Sequence, residues 1–268
     1  MTGCGPSPAL TYPPTITSPA TPTPPRPNST EISVPSDRVT PLPTPAPFAN
    51  EEPVAPELIG TYIINGTAPD GKGYSGKLII TLQSDNSNSS MKQAEYDLAW
   101  DTGSTGAGIL IKDALANRFL ATSFGGPTCG AVFYSAYSYV DGDTSTFSLY
   151  GIRLEPGTFD IGSETASPIV PRPYLEGDYN LVGYNANGSG YKGTLSITQQ
   201  GNALWQLVWN VVLPTPGIGI SLNKSLFAGA YGGEGCGVAV YNVNIDGSLR
   251  ATWAVLGDDQ VGEETATK

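Results

Sequence analysis

Gly73-Tyr74-Ser75-Gly76-Lys77-Leu78-Ile79-Ile80-Thr81 returns as Gly190-Tyr191-Lys192-Gly193-Thr194-Leu195-Ser196-Ile197-Thr198, with the glycines, tyrosine, leucine, threonine and second isoleucine in register. Working outward, Gly60 and Tyr62 match Gly177 and Tyr179, and Tyr96, Leu98 and Trp100 match Trp205, Leu207 and Trp209. Cys129, Gly130 and Tyr134 match Cys236, Gly237 and Tyr241. Gly162, Glu164, Thr165 and Ala166 match Gly262, Glu264, Thr265 and Ala266. The chain therefore carries one unit twice, at 57–167 and 174–268, joined by a proline-marked connector at 168–173.

Within each copy the dominant period is two. Trp205, Leu207, Trp209 and Val211 share one face while Gln206 and Asn210 take the other, and Tyr96, Leu98 and Trp100 alternate with Glu95, Asp97 and Asp101. That alternation is the mark of half-buried strands. Turn formers such as Asn187-Gly188, Gly201-Asn202, Gly232-Gly233 and Asp246-Gly247 separate the runs, as sequential antiparallel hairpins require. The second copy reads as strands near Asp178, Thr194, Leu204, Ile218, Leu226, Val238, Leu249 and Glu263. The reading is all-β: two tandem antiparallel up-and-down barrels of about eight strands, since closure removes exposed edges, with a small sandwich as the alternative. Ser84 to Lys92 reads as a hairpin tip, and Lys112 to Arg118 as the one stretch able to form a helical turn.

Sixteen of the 24 prolines fall between Pro6 and Pro56, among threonine, serine and alanine. Such a segment buries too little apolar surface to offset its ordering entropy, so 1–56 is expected to be an extended, disordered spacer. The net charge of −11 argues against nucleic acid and against basic-patch membrane binding. The chain has no histidine, which removes the commonest general base and metal ligand. No metal or cofactor is expected, since two matched cysteines without histidine offer too few ligands for zinc.

Two strings imitate catalytic motifs. Asp101-Thr102-Gly103-Ser104 copies an aspartic-protease motif, but the matching stretch in the second copy begins at Asn210, so the required second carboxylate is missing. Gly71 to Lys77 approaches a phosphate-binding loop, yet Leu78 stands where serine or threonine would hold magnesium, and a strand follows where a helix should. Both read as turns, and no catalytic residue is assigned. Cys129 and Cys236 occupy the same site in the two copies and read either as small core residues or as a disulfide. Glu164 and Glu264 read as polar staples of the last strand, or as ligand-facing groups at a barrel mouth. The aromatic residues, with Tyr96, Trp100, Trp205 and Trp209 foremost as ligand candidates, read most simply as barrel filling and otherwise as a cavity lining.

Met1-Thr2-Gly3-Cys4 resembles the end of a bacterial lipoprotein signal, although no apolar stretch precedes the cysteine in this sequence. The resemblance implies lipidation at Cys4, attachment to the membrane through that anchor alone, and an outward-facing place in the bacterial cell envelope, with secretion as the alternative. The repeat, from Gly60 through Cys129-Gly130 and Tyr134 to the terminal Gly-x-Glu-Thr-Ala, is similar to repeats of exported bacterial proteins, some loosely labelled fibronectin-binding. It is distantly similar to avidin and lipocalin barrels in strand count and tryptophan placement. These likenesses imply a non-enzymatic module that binds an extracellular protein or small ligand. The alternative is a structural envelope protein whose barrels only pack against neighbours, with a hydrolase as a remote third.

Overall fold

The computed structural model describes residues 55–83, 95–112, 117–141, 144–158, 160–222 and 226–268. The expected spacer and Cys4, the tip at Ser84 to Lys92, and most of the Lys112 to Arg118 segment lie outside them. Sixteen strands follow in order: β1 (Gly60–Thr67), β2 (Gly73–Leu82), β3 (Glu95–Trp100), β4 (Thr105–Lys112), β5 (Arg118–Phe124), β6 (Gly130–Asp141), β7 (Thr144–Leu154) and β8 (Ile161–Pro168), then β9 (Gly177–Tyr184), β10 (Gly190–Gln199), β11 (Leu204–Asn210), β12 (Pro214–Ser221), β13 (Leu226–Tyr231), β14 (Gly237–Val243), β15 (Leu249–Val255) and β16 (Gly262–Thr267). All eight strands expected in the second copy form. The two motif-like strings are hairpin turns: Gly71 and Gly103 each take a positive φ, and the Gly103 N–H donates to the Trp100 carbonyl.

The strands close two antiparallel eight-stranded barrels, but these are not the two copies. One barrel is the uninterrupted meander β6 to β13, residues 130–231. The other combines β1–β5 with β14–β16, and its β5 pairs with β14 while β16 pairs with β1. The segments 57–167 and 174–268 therefore do not each close a barrel; an inserted barrel interrupts a flanking one. The reason is that the ends of β5 and β13 face equivalent choices. Cys129-Gly130 to Tyr134 and Cys236-Gly237 to Tyr241 offer nearly the same strand, and pairing β5 with the distant copy lets the two barrels share apolar outer faces.

Those shared faces form the largest core. Ile109, Ile111 and Phe119 of the flanking barrel pack in one cluster with Phe133, Ile152, Ile218 and Ile220 of the inserted one. Two further clusters fill the barrel interiors, around Tyr62, Tyr96 and Tyr241 in the flanking barrel and around Tyr134, Tyr179 and Trp205 in the inserted one. Strands at the junction are accordingly buried on both faces, as in the unbroken buried run of β5 from Phe119 to Ser123. At the two crossovers Cys129 and Cys236 form a disulfide, with Cα atoms 5.3 Å apart, in the range such a bond requires. Crowding there demands glycine: a Cβ on Gly232, at φ +139°, would meet the Thr128 carbonyl and the Cys236 sulfur.

One end of each barrel is plugged. A short 3-10 turn, Pro56–Leu58, drives fully buried Leu58 into the flanking barrel, where the Tyr62 hydroxyl donates to the Leu58 carbonyl at 3.0 Å and the Ala55 N–H donates to the Tyr96 hydroxyl at 2.9 Å. The inserted barrel repeats the device with Leu175, whose carbonyl accepts from the Tyr179 hydroxyl at 2.5 Å.

A buried carboxyl marks the edge of the flanking barrel. Glu95, the first residue of β3, is 7% exposed, and its Oε2 has no hydrogen-bond partner among the described residues. Burial, then the charges of Asp160 and Asp97, push its pKa up to about 7. A carboxyl raised in the folded state favours folding most below its unfolded pKa, and that advantage is lost as pH rises towards 7. Glu95→Gln is therefore expected to be more stable than the parent by about 1 kcal/mol at pH 8.5, a figure reduced for partial solvent screening, and equal to it near pH 4. Thermal melts of both proteins at the two pH values measure this; equal melting temperatures at pH 8.5 would contradict it.

Candidate functional site

The unplugged ends of the barrels carry the same construction. In each doubled phrase the tyrosine lies across a glycine of the neighbouring strand: Tyr74 faces Gly66, and Tyr191 faces Gly183. A Cβ on Gly66 or Gly183 would stand 2.4 or 2.1 Å from the tyrosine ring, so glycine lets the ring lean over the barrel end. There its hydroxyl meets a glutamate from the last strand of a copy.

In the inserted barrel Glu164 is 1% exposed. It accepts from the Tyr191 hydroxyl at 2.6 Å, from the Trp209 indole N–H at 3.2 Å and from the Tyr134 hydroxyl. In the flanking barrel Glu264 accepts from the Tyr74 hydroxyl at 2.9 Å and the Tyr241 hydroxyl at 2.7 Å, with the Trp100 ring beside it in the same mouth. Burial raises the Glu264 pKa, and the polar groups of Tyr241, Tyr74 and Trp100 pull it back. Burial, reinforced by the neighbouring glutamate, holds Tyr134 and Tyr241 well above the usual tyrosine range, so both remain protonated donors. Neutral donors converging on one buried carboxylate are how a protein holds such a group without a surrounding water shell. The glutamates thus staple side chains across the barrel end, each reaching strands on both sides of its own.

Each mouth is built by both copies. Tyr74, Trp100 and Phe124 come from the first and Tyr241, Trp253 and Glu264 from the second; in the inserted barrel Tyr134, Arg153 and Glu164 come from the first and Tyr191, Trp209 and Tyr231 from the second. Above Glu264, the rings of Tyr74, Trp100, Phe124 and Trp253 wall an open cavity of about 210 Å³, with Glu264 in its lining and Thr102 and Ser104 of the protease-like turn at its rim. Phe124 lies 5.8 Å from Trp100 and 6.0 Å from Trp253 between ring centroids, and the Trp253 indole N–H donates to the Tyr74 hydroxyl at 2.9 Å.

The inserted mouth differs at one decisive position. Arg153 pairs with Gly162 as Trp253 pairs with Gly262. Its guanidinium lies 5.0 Å from the Tyr191 ring centroid and 5.5 Å from that of Tyr231, and donates to the Tyr191 hydroxyl at 2.9 Å. Burial disfavours its charge, yet Tyr231, Tyr191 and Glu164 together keep its pKa above the ordinary arginine value. The cavity here, about 320 Å³, is lined by Arg153, Tyr191, Trp209 and the turn residues Val211 and Val212, without Glu164.

Of the six ligand candidates named from sequence, Trp100 with Glu264 and Trp209 with Glu164 meet at the mouths. Tyr96 and Trp205 do not; they belong to the cores of the barrel interiors, and Tyr96 is tied to the plug by Ala55. Phe124, Trp253, Tyr231 and Arg153 were not singled out, although alignment of the copies matches Phe124 with Tyr231 and Trp253 with Arg153. Among the described residues no cluster of histidine, cysteine, aspartate and glutamate could hold a metal ion. Comparison with protein-family models, curated proteins and solved structures finds no match to this chain, so its sites are read from their own geometry.

Proposed function

We propose that this chain is a non-enzymatic binding protein of the bacterial cell envelope, tethered by lipid on Cys4, and that the mouth of the flanking barrel takes a small ligand. The observation that carries the ligand reading is the open, aromatic-walled cavity over buried Glu264, the combination of apolar walls and a few fixed polar groups that small-molecule sites use. The absence of histidine and of a second carboxylate for Asp101 supports a binding role over a hydrolytic one. The Cys129–Cys236 disulfide suits an oxidising compartment. The described chain enters the flanking barrel at its plugged end, through Ala55.

Native mass spectrometry of the full chain isolated from its own cells tests this reading. The expected result is a small-molecule adduct that Trp100→Ala loses while its circular dichroism stays that of a folded barrel protein. An adduct-free parent, or one whose adduct survives Trp100→Ala, would overturn the assignment of the mouth. Acyl chains on Cys4 in the same spectra are expected, and an unmodified Cys4 would overturn the tether.

A further inference from the structure

We infer that the flanking mouth is a site for a small organic cation, an alkylated ammonium with an apolar body, and that the inserted mouth carries its own resident cation in Arg153. The inference rests on the reading of the flanking mouth as a ligand site and says what that ligand is.

The two mouths act as a controlled comparison. Both hold a glutamate under two tyrosine hydroxyl donors, with a matched tryptophan beside it. In the inserted barrel the Arg153 guanidinium, seated against two tyrosine rings and ion-paired to Glu155 at 3.9 Å, also sets its positive charge against the negative charge of Glu164. In the flanking barrel the matching residue is Trp253, which reproduces the hydrogen bond to the tyrosine hydroxyl and supplies no charge. Among the described residues no cationic side chain is ion-paired or hydrogen-bonded to Glu264; Arg250, on the adjacent strand, is engaged by Glu263 at 3.3 Å. The flanking mouth therefore has a buried carboxylate without a counter-charge, where its twin has one. It also has what a cation needs to leave water: the aromatic rings of Tyr74, Trp100, Phe124 and Trp253 around an open cavity whose lining includes Glu264. Aromatic walls bind quaternary ammonium groups through the ring quadrupole, and tryptophan does so best. A neutral ligand would gain the apolar contact alone and leave Glu264 uncompensated.

Choline and its neutral carbon isostere 3,3-dimethylbutan-1-ol have nearly the same shape and differ in charge. Titrated separately into the ¹⁵N-labelled full chain, choline is expected to shift the indole N–H signals of Trp100 and Trp253, to leave that of Trp205 in place, and to bind at least about tenfold more tightly than the alcohol. Glu264→Gln, which keeps an acceptor and removes the charge, is expected to bring the two affinities together. Arg153→Leu is expected to open a second choline site that shifts Trp209. Equal binding of choline and the alcohol by the parent protein would overturn the cation and leave the ligand mouth standing. No shift of Trp100 or Trp253 with either compound would overturn both. A folded Arg153→Leu protein whose Trp209 signal ignores choline would overturn the role given to Arg153.

Discussion

Glu164→Ala is expected to lower the stability of the protein by about 3–5 kcal/mol, the range for breaking a buried charged network from one side. The substitution removes the shared acceptor of Tyr134, Tyr191 and Trp209 and takes one of two negative charges from the Arg153 guanidinium, leaving Glu155 at 3.9 Å. A buried donor stripped of its acceptor costs about 1–3 kcal/mol in lost solvation, and water entering the mouth recovers part of that. Glu164→Gln retains one acceptor oxygen and the volume of the side chain, so its loss should be about half as large. Urea titrations followed by tryptophan fluorescence give both numbers. A loss below about 1 kcal/mol for Glu164→Ala would show that the donors find water with ease, and that the mouth is wetter than its burial implies.

Removing the disulfide should cost as much by a different route. Cys129 and Cys236 are 107 residues apart, and the loop they close contains the entire inserted barrel. Loop-closure entropy for a cross-link of that span stabilises by about 4–5 kcal/mol, chiefly by restricting the unfolded chain. The double substitution Cys129→Ala, Cys236→Ala is expected to approach that loss, while the native spectrum persists because 16 strands and three apolar clusters remain in place. Urea titrations of the parent and the double variant, each extrapolated with its own m value, measure it. If the parent is equally stable with and without a reductant, the bond contributes nothing in solution and the prediction fails.

Much of the fold was legible because strand period and turn chemistry are local properties. Trp205, Leu207 and Trp209 alternate with polar residues, and Asn187-Gly188 and Asp246-Gly247 turn the chain where the structure turns it. The partition into barrels was not legible, because β6 and β14 present β5 with almost the same partner and no local rule prefers the nearer one. A sign of the answer was nevertheless present in Gly106–Ile111 and Leu226–Ala230, which are apolar or small without alternation, as strands covered on both faces are. At the mouths, Glu164 and Glu264 were visible as repeated polar residues near a strand end. Arg153 was not, because its meaning lies in a difference between the copies, whereas the alignment had drawn attention to what they share. Tyr96 and Trp205 show the opposite: their match to each other marks a shared place in the cores of the barrel interiors.

The interleaving of the copies also bears on how such a molecule can change over generations. Were each copy its own barrel, either could drift towards a new ligand while the other kept the old one. Here each copy supplies walls to both mouths and strands to both barrels, so rewriting one half of the gene revises both sites at once. Arg153 opposite Trp253 shows how divergence is still achieved under that constraint: a single exchange at one matched position gives the two mouths different electrostatic character while every shared strand is left intact.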